Sequence, residues 1–195
     1  MPTTFISNSS HYKEVLSRVQ SVKHTLWIGT ADIKDLYVEV GKEKEPFLAL
    51  IAQLIRRGVE VRLIHAKEPG PNFREDFDKS PYFMTAWSGY SVRVSIWFHL
   101  PLSRLGIVGA SSTLLSLLHR FKMLVFDSKD VYVGSANLTG AGIGMKAETT
   151  RNFEAGILTD DPIIVEQAIN QFDEIWIGKH CKSCKRRDFC PAPIA

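Results

Sequence analysis

The stretch HRFKMLVFDSKDVYVGSANLTG, residues 119–140, gathers side chains suited to one kind of chemistry. Lys122 supplies a point charge, Ser135 and Asn137 supply neutral hydrogen-bond donors, Asp127 supplies a carboxylate, and Gly134 lets a backbone come close to a ligand's oxygens. Together they suit a phosphodiester. His119 and Arg120 stand just upstream. A histidine can attack phosphorus or move a proton, whereas an arginine stays protonated and can only grip phosphate. Ser135 or Lys122 alone reads better as a solvated turn position, and only the spacing of the set favours a phosphate site.

The elements that must position these residues follow from periodicity. SSHYKEVLSRVQSVKH spaces Tyr12, Val15, Val19 and Val22 at helical intervals, with Ser9 or Ser10 placed to cap, and leads into the strand-like TLWIGTADI. Pro46 opens a second helix, PFLALIAQLIRRG, closed by two arginines and Gly58, and the alternating VEVRLIH follows as a strand. AKEPGPNFREDFDKSP, 66–81, reads as a long surface loop, after which SVRVSIWF resumes strand alternation. KMLVF and VYVGS form a hairpin across DSKD, and FEAGIL is a further strand. DDPIIVEQAINQFDEIWIG is a helix with an Asp cap, an Ile164, Ala168, Phe172, Trp176 stripe and Gly178 as its stop. Interleaved helices and strands predict an α/β fold, a mixed β-sheet covered by helices on both faces. In that frame Lys122 begins a strand, Asp127 sits at its turn, and the polar groups are expected to converge at one sheet edge.

With 195 residues, 45% of them hydrophobic and 23% charged, the chain can bury one substantial core. A single domain over 1–178 and a Cys-rich basic tail over 179–195 are expected. The formal charge of +3 is compatible with a polyanionic ligand but does not argue for one. MPTTFISNSSHYKEV lacks the apolar core of a secretory segment, which makes cytoplasm the default. The apolar run LGIVGASSTLLSLL, 105–118, falls short of the ~20 residues that span a bilayer. It is read as buried or interfacial, with no transmembrane segment and no membrane contact expected.

The spacing from Lys122 onward resembles the signature of the phospholipase D superfamily: His, any residue, Lys, four residues, Asp, six residues, then Gly-Ser-any-Asn. MLVF separates Lys122 from Asp127, SKDVYV separates Asp127 from Gly134, and GSAN follows. RNFEAG is similar to the family's Asn-x-Glu segment and gives Glu154 the role of a supporting carboxylate. The resemblance implies an α/β sandwich in which one histidine attacks phosphorus to form a phosphohistidine and a second protonates the leaving alcohol. It further implies that Lys122 and Asn137 stabilise the phosphate oxygens, that no cofactor or metal serves catalysis, and that a short chain with one motif copy works as a homodimer, like the small bacterial endonucleases.

One position departs from that pattern. The family's histidine falls at 120, where this chain has Arg120. Side chains alternate faces along a strand, so on a regular strand residue 120 shares a face with Lys122 and His119 points the other way. A bulge at 119–121 would return His119 to the active face. The candidate catalytic set is therefore His119, Lys122, Asp127, Asn137 and Glu154, and the candidate phosphate-binding set is Arg120, Lys122, Ser135 and Asn137.

All three cysteines, Cys181, Cys184 and Cys190, lie in the tail KHCKSCKRRDFCPAPIA. Clustered cysteines in a reducing compartment favour metal over disulfide, and structural zinc takes four ligands. His180 is a candidate fourth, with His65 and His99 as alternatives on strands; an iron–sulfur cluster is a weaker fit to the same residues. Redox-sensitive thiols or a reduced, solvated tail are the bland readings. Three functions compete: a metal-free nuclease-type phosphodiesterase, a degenerate relative that binds nucleic acid or another phosphate ligand without hydrolysis, and a lipid phosphodiesterase. Small size and the basic tail favour nucleic acid as the partner; only the run at 105–118 favours lipid.

Overall fold

The computed structural model describes residues 3–34, 36–40, 43–65, 121–177 and 179. The loop expected at 66–81, the strand SVRVSIWF, the run 105–118 and Gly178 lie outside the described residues, as do His99, His119, Arg120, His180 and the three cysteines. In chain order the elements are β1 (Thr4–Ser7), a π-helical turn (His11–Val15) running into α1 (Leu16–Ser21), β2 (Thr25–Thr30), β3 (Ile33–Lys34), β4 (Tyr37–Val40), β5 (Glu43–Pro46), α2 (Phe47–Arg56) and β6 (Glu60–His65). After the undescribed segment come β7 (Met123–Phe126), β8 (Asp130–Gly134), β9 (Leu138–Thr139), a 3-10 turn (Glu148–Thr150), β10 (Ala155–Thr159) and α3 (Pro162–Trp176).

Six strands form one mixed sheet in the order β1-β10-β8-β7-β2-β6. β2 and β6 run parallel, joined through α2, while β2 with β7 and all remaining neighbours are antiparallel. Side-chain alternation divides the core in two. Leu26, Ile28, Leu124, Phe126, Tyr132 and Leu158 face α1 and α2, and Trp27, Met123, Val125 and Val131 face Val165, Ala168, Phe172 and Trp176 of α3. Helices thus cover both faces of a mixed sheet, as the sequence predicts.

Local chemistry explains the ends of these elements. The Asp161 side chain accepts from the amides of Ile163 and Ile164 at 2.9 and 3.4 Å, capping α3 where Pro162 has no amide to offer. Gly58, at φ 88°, closes α2 in a conformation that other residues resist. Arg62 fixes α3 against the sheet: its guanidinium lies 4.2 Å from the Trp27 ring centre and bonds Asp173 at 2.7 Å.

The first helix differs from expectation. Ser10 occupies its entry but makes no side-chain cap bond, and the first turn is π-helical. The chain enters through Asn8 at φ 46°, whose carbonyl accepts from the His11 amide at 3.2 Å and from His11 Nδ1 at 2.9 Å. Asn8, not a serine, therefore organises the start, and His11 is turned inward.

Candidate functional site

The backbones of Lys122, Ser135, Asn137 and Glu154 lie at one end of the large sheet, where β2 and β8 finish and β7 and β10 begin. Register sets this arrangement. The Gly134 amide donates to the Lys122 carbonyl at 3.3 Å, and Gly134 pairs with Gly156 across to β10. Lys122 is two residues before Leu124, so alternation puts its side chain on the face of α1 and α2, while Phe121 packs with Phe172 on the opposite face. The alternation predicted for the strand holds as far as Phe121.

Ser135 and Glu154 are bonded to each other. Ser135 Oγ donates to Glu154 Oε2 and itself accepts from the Ala155 amide at 3.1 Å, while the Ser135 amide donates to the Ala155 carbonyl at 2.9 Å. Asn152 Nδ2 donates to the other carboxylate oxygen at 3.1 Å. The backbone of Glu154 is clamped by Asn8, whose amide donates to the Glu154 carbonyl at 3.0 Å and whose Oδ1 accepts from the Glu154 amide at 3.2 Å. A carboxylate held at both oxygens and along its backbone is preorganised to orient neighbouring donors.

Asn137 is held by the Gly-rich loop that follows it. A side chain at Gly142 would come within 2.7 Å of the Asn137 carbonyl, so only glycine lets the loop close there. The Asn137 Oδ1 position is buried without a hydrogen bond, as are His11 Nε2 and Tyr132 Oη on the same face of the sheet. Leaving such atoms unpaired costs about 1–3 kcal/mol each.

Tyr132 and His11 form the floor. Their rings meet edge to face with centres 5.4 Å apart. The Tyr132 ring lies over two glycines: a Cβ at Gly134 would sit 2.2 Å from the hydroxyl, and one at Gly156 would sit 2.6 Å from the ring. Gly134 is thus required by the tyrosine beneath it, whereas the sequence suggested close approach to a ligand. Burial pushes the Tyr132 hydroxyl upward from its ordinary pKa, with the Glu154 charge adding to the effect. Burial lowers the His11 pKa, against the opposing influence of the Asn8 carbonyl and Glu154. Sequence reasoning missed His11, although its spacing from Val15 and Val19 continues the buried stripe.

Asp127 is a correction. It lies at the opposite end of β7 from Lys122, about 17 Å along the strand at ~3.3 Å per residue. Its carboxylate accepts from the amides of Lys23 (3.0 Å), His24 (2.6 Å) and Thr25 (3.0 Å), and its own amide donates to the Thr25 carbonyl at 2.8 Å. Partial burial would raise its pKa, but these amides outweigh that and hold it below the ordinary carboxylate value. Asp127 joins the α1–β2 junction to the β7–β8 hairpin and does not converge with Lys122 and Asn137.

Among the described residues no cluster of three or more His, Cys, Asp or Glu side chains could hold a metal ion. The tail cysteines and His180 lie outside the described residues, and so do His119 and Arg120. No described helix is long and apolar enough to cross a membrane.

A mixed sheet between helices, with a lysine, a serine–glutamate pair and an asparagine at one end, defines a phospholipase D-like domain. The chain belongs to that superfamily: the family model described as cardiolipin synthase, PLD-like domain, matches residues 15–176. NucT from Helicobacter pylori shares the fold at a TM-score of 0.52 and 16% identity, over 88% of this chain and 93% of that one. Nuc from Salmonella typhimurium, a phospholipase D family member, does so at 0.52 and 15%, over 89% and 93%. No curated protein matched the chain by sequence.

Proposed function

We propose that this chain holds a phosphodiester of nucleic acid at the end of its sheet and hydrolyses it without a catalytic metal, His119 serving as the nucleophile in a homodimer that supplies the second histidine. What supports the reading is that the fold brings the backbones of Lys122 and Asn137 to the sheet end where Ser135 and Asn152 bond the two Glu154 carboxylate oxygens. Lys122 and the Asn137 amide stabilise the charge on the phosphoryl oxygens, which is the largest single contribution to catalysis in sites of this kind. Small size and the basic tail support nucleic acid over lipid. In the same proposal Cys181, Cys184, Cys190 and His180 hold a structural zinc that orders the tail.

A second reading, binding without hydrolysis, is favoured by Arg120. Phe121 packs on the α3 face, so a strand that continues regularly gives residue 120 the face of Lys122. Arginine there grips phosphate and cannot attack it.

Hydrolysis of a generic phosphodiester and of single- and double-stranded DNA in excess EDTA separates the two. Turnover abolished by both Lys122→Ala and His119→Ala supports the hydrolytic reading. A silent parent that gains activity with Arg120→His supports the binding one. Turnover unaffected by Lys122→Ala overturns both.

A further inference from the structure

Phe153 is the most exposed large apolar side chain among the described residues, at 95%. Its position is what makes that exposure informative. The residue sits directly before Glu154, so it stands one peptide from the carboxylate bonded to Ser135. The backbone on either side is fixed, because the Asn152 amide donates to the Ala141 carbonyl at 3.1 Å and the Glu154 amide donates to Asn8 Oδ1 at 3.2 Å. A bare phenyl ring is thus presented from a rigid mount at the edge of the phosphate site. The loop leading to it brings Lys146, exposed to solvent, and Arg151.

We infer that Phe153 is a stacking platform for one nucleobase of a single-stranded nucleic acid whose neighbouring phosphate occupies the Lys122 and Asn137 site. An exposed, preorganised aromatic ring beside a cationic phosphate grip is the arrangement that binds single strands, since any base offers a π-face to it. Bases in a duplex are already stacked on one another and reach such a ring only by unstacking, which makes the site selective for single strands. The inference rests on the nucleic-acid reading above and adds the strand type and the residue that selects it.

Binding of the full chain to labelled oligonucleotides tests it, with Phe153→Ala, Phe153→Trp and Lys122→Ala compared on a single strand, the same strand made abasic, and a duplex. Phe153→Ala is expected to weaken the single strand about tenfold while leaving the abasic strand unchanged, and Phe153→Trp is expected to retain binding. Equal binding by Phe153→Ala, or an equal loss on the abasic strand, overturns the stacking role and leaves the phosphate site standing. Conversion of a dimer to a monomer by Phe153→Ala in sedimentation also overturns it, by making Phe153 an interface residue. If the parent binds none of the three and Lys122→Ala changes nothing, the nucleic-acid reading fails and the inference falls with it.

Discussion

Ser135 and Glu154 are joined by a hydrogen bond that ties the end of β8 to the start of β10, and the serine hydroxyl also accepts from the Ala155 amide. Removing the serine therefore releases the carboxylate beside the phosphate grip, and neutralising the glutamate weakens the acceptor that holds the serine. Glu154→Gln and Ser135→Ala are each expected to reduce phosphodiester affinity about tenfold, one good charge-assisted bond's worth. Thermal stability should change much less, because the backbone clamp from Asn8 remains. Parallel titration and melting curves check this; a loss of stability without a loss of affinity assigns the pair to the fold alone.

Asp127→Ala is expected to cost about 2–3 kcal/mol of stability, because it strips three amides of a shared acceptor. Phosphate affinity, read below the unfolding transition of the variant, should be unchanged. The pH dependence has a definite sign. Asp127 has a depressed pKa when folded, so its contribution is complete above the unfolded aspartate pKa, about 3.9, and is lost as pH falls below it toward the folded value. Denaturant melts between pH 5 and pH 3 should fall more steeply for the parent than for Asp127→Ala.

Tyr132→Phe should change stability little, since the buried hydroxyl makes no hydrogen bond of good geometry and the Ala136 backbone lies near enough to satisfy it in part. Gly134→Ala should be strongly destabilising, by about 2 kcal/mol or more, because the new methyl meets the Tyr132 hydroxyl at 2.2 Å and the Ala155 carbonyl at 2.8 Å. Combining the two should recover part of the loss. Strict additivity in the double mutant would mean that the hydroxyl is not what excludes the methyl.

The tail proposal predicts about one zinc per chain by metal analysis of purified protein, released when Cys184→Ser removes one ligand of the pair. Excess EDTA should extract the metal without abolishing phosphodiester hydrolysis in the active reading, because the proposed chemistry uses no metal. Purified protein free of metal, with Cys184→Ser indistinguishable from the parent, would leave the cysteines as reduced thiols.

The layered sheet was legible because buried strands such as Thr25–Thr30 and Met123–Phe126 are written in branched and aromatic residues, and α2 and α3 carry their own start and stop signals. The β4–β5 hairpin was not, since YVEV and EKEP spend half their positions on charge and read as loop. β1 is four residues long and gains its identity only by pairing with β10, which no local pattern announces. Spacing grouped Lys122, Ser135, Asn137 and Glu154, which the fold does bring to one sheet end, but it treated Asp127 as their neighbour. The strand itself argues otherwise: residues at its two ends cannot share one pocket. His11, Asn8 and Tyr132 were hidden because their placement depends on a left-handed turn and a pair of glycines that only the folded chain brings together.

His11 titration should make the parent less stable as pH falls from 7 toward 5. Its ring is fully buried, with Nδ1 bonded to the Asn8 carbonyl at 2.9 Å and Nε2 unpaired. Burial depresses its folded pKa, against the opposing Asn8 carbonyl and Glu154 charge. The neutral ring therefore contributes stability in full above the unfolded histidine value, about 6.5, and this is lost as pH falls from there toward the folded pKa, since the unfolded chain binds the proton more readily. His11→Gln abolishes this titration while keeping a polar side chain, so its stability should vary less between pH 7 and pH 5 than the parent's. Stability curves for the two proteins that fall in parallel would show that His11 stays neutral, or is equally charged, in both the folded and unfolded chain.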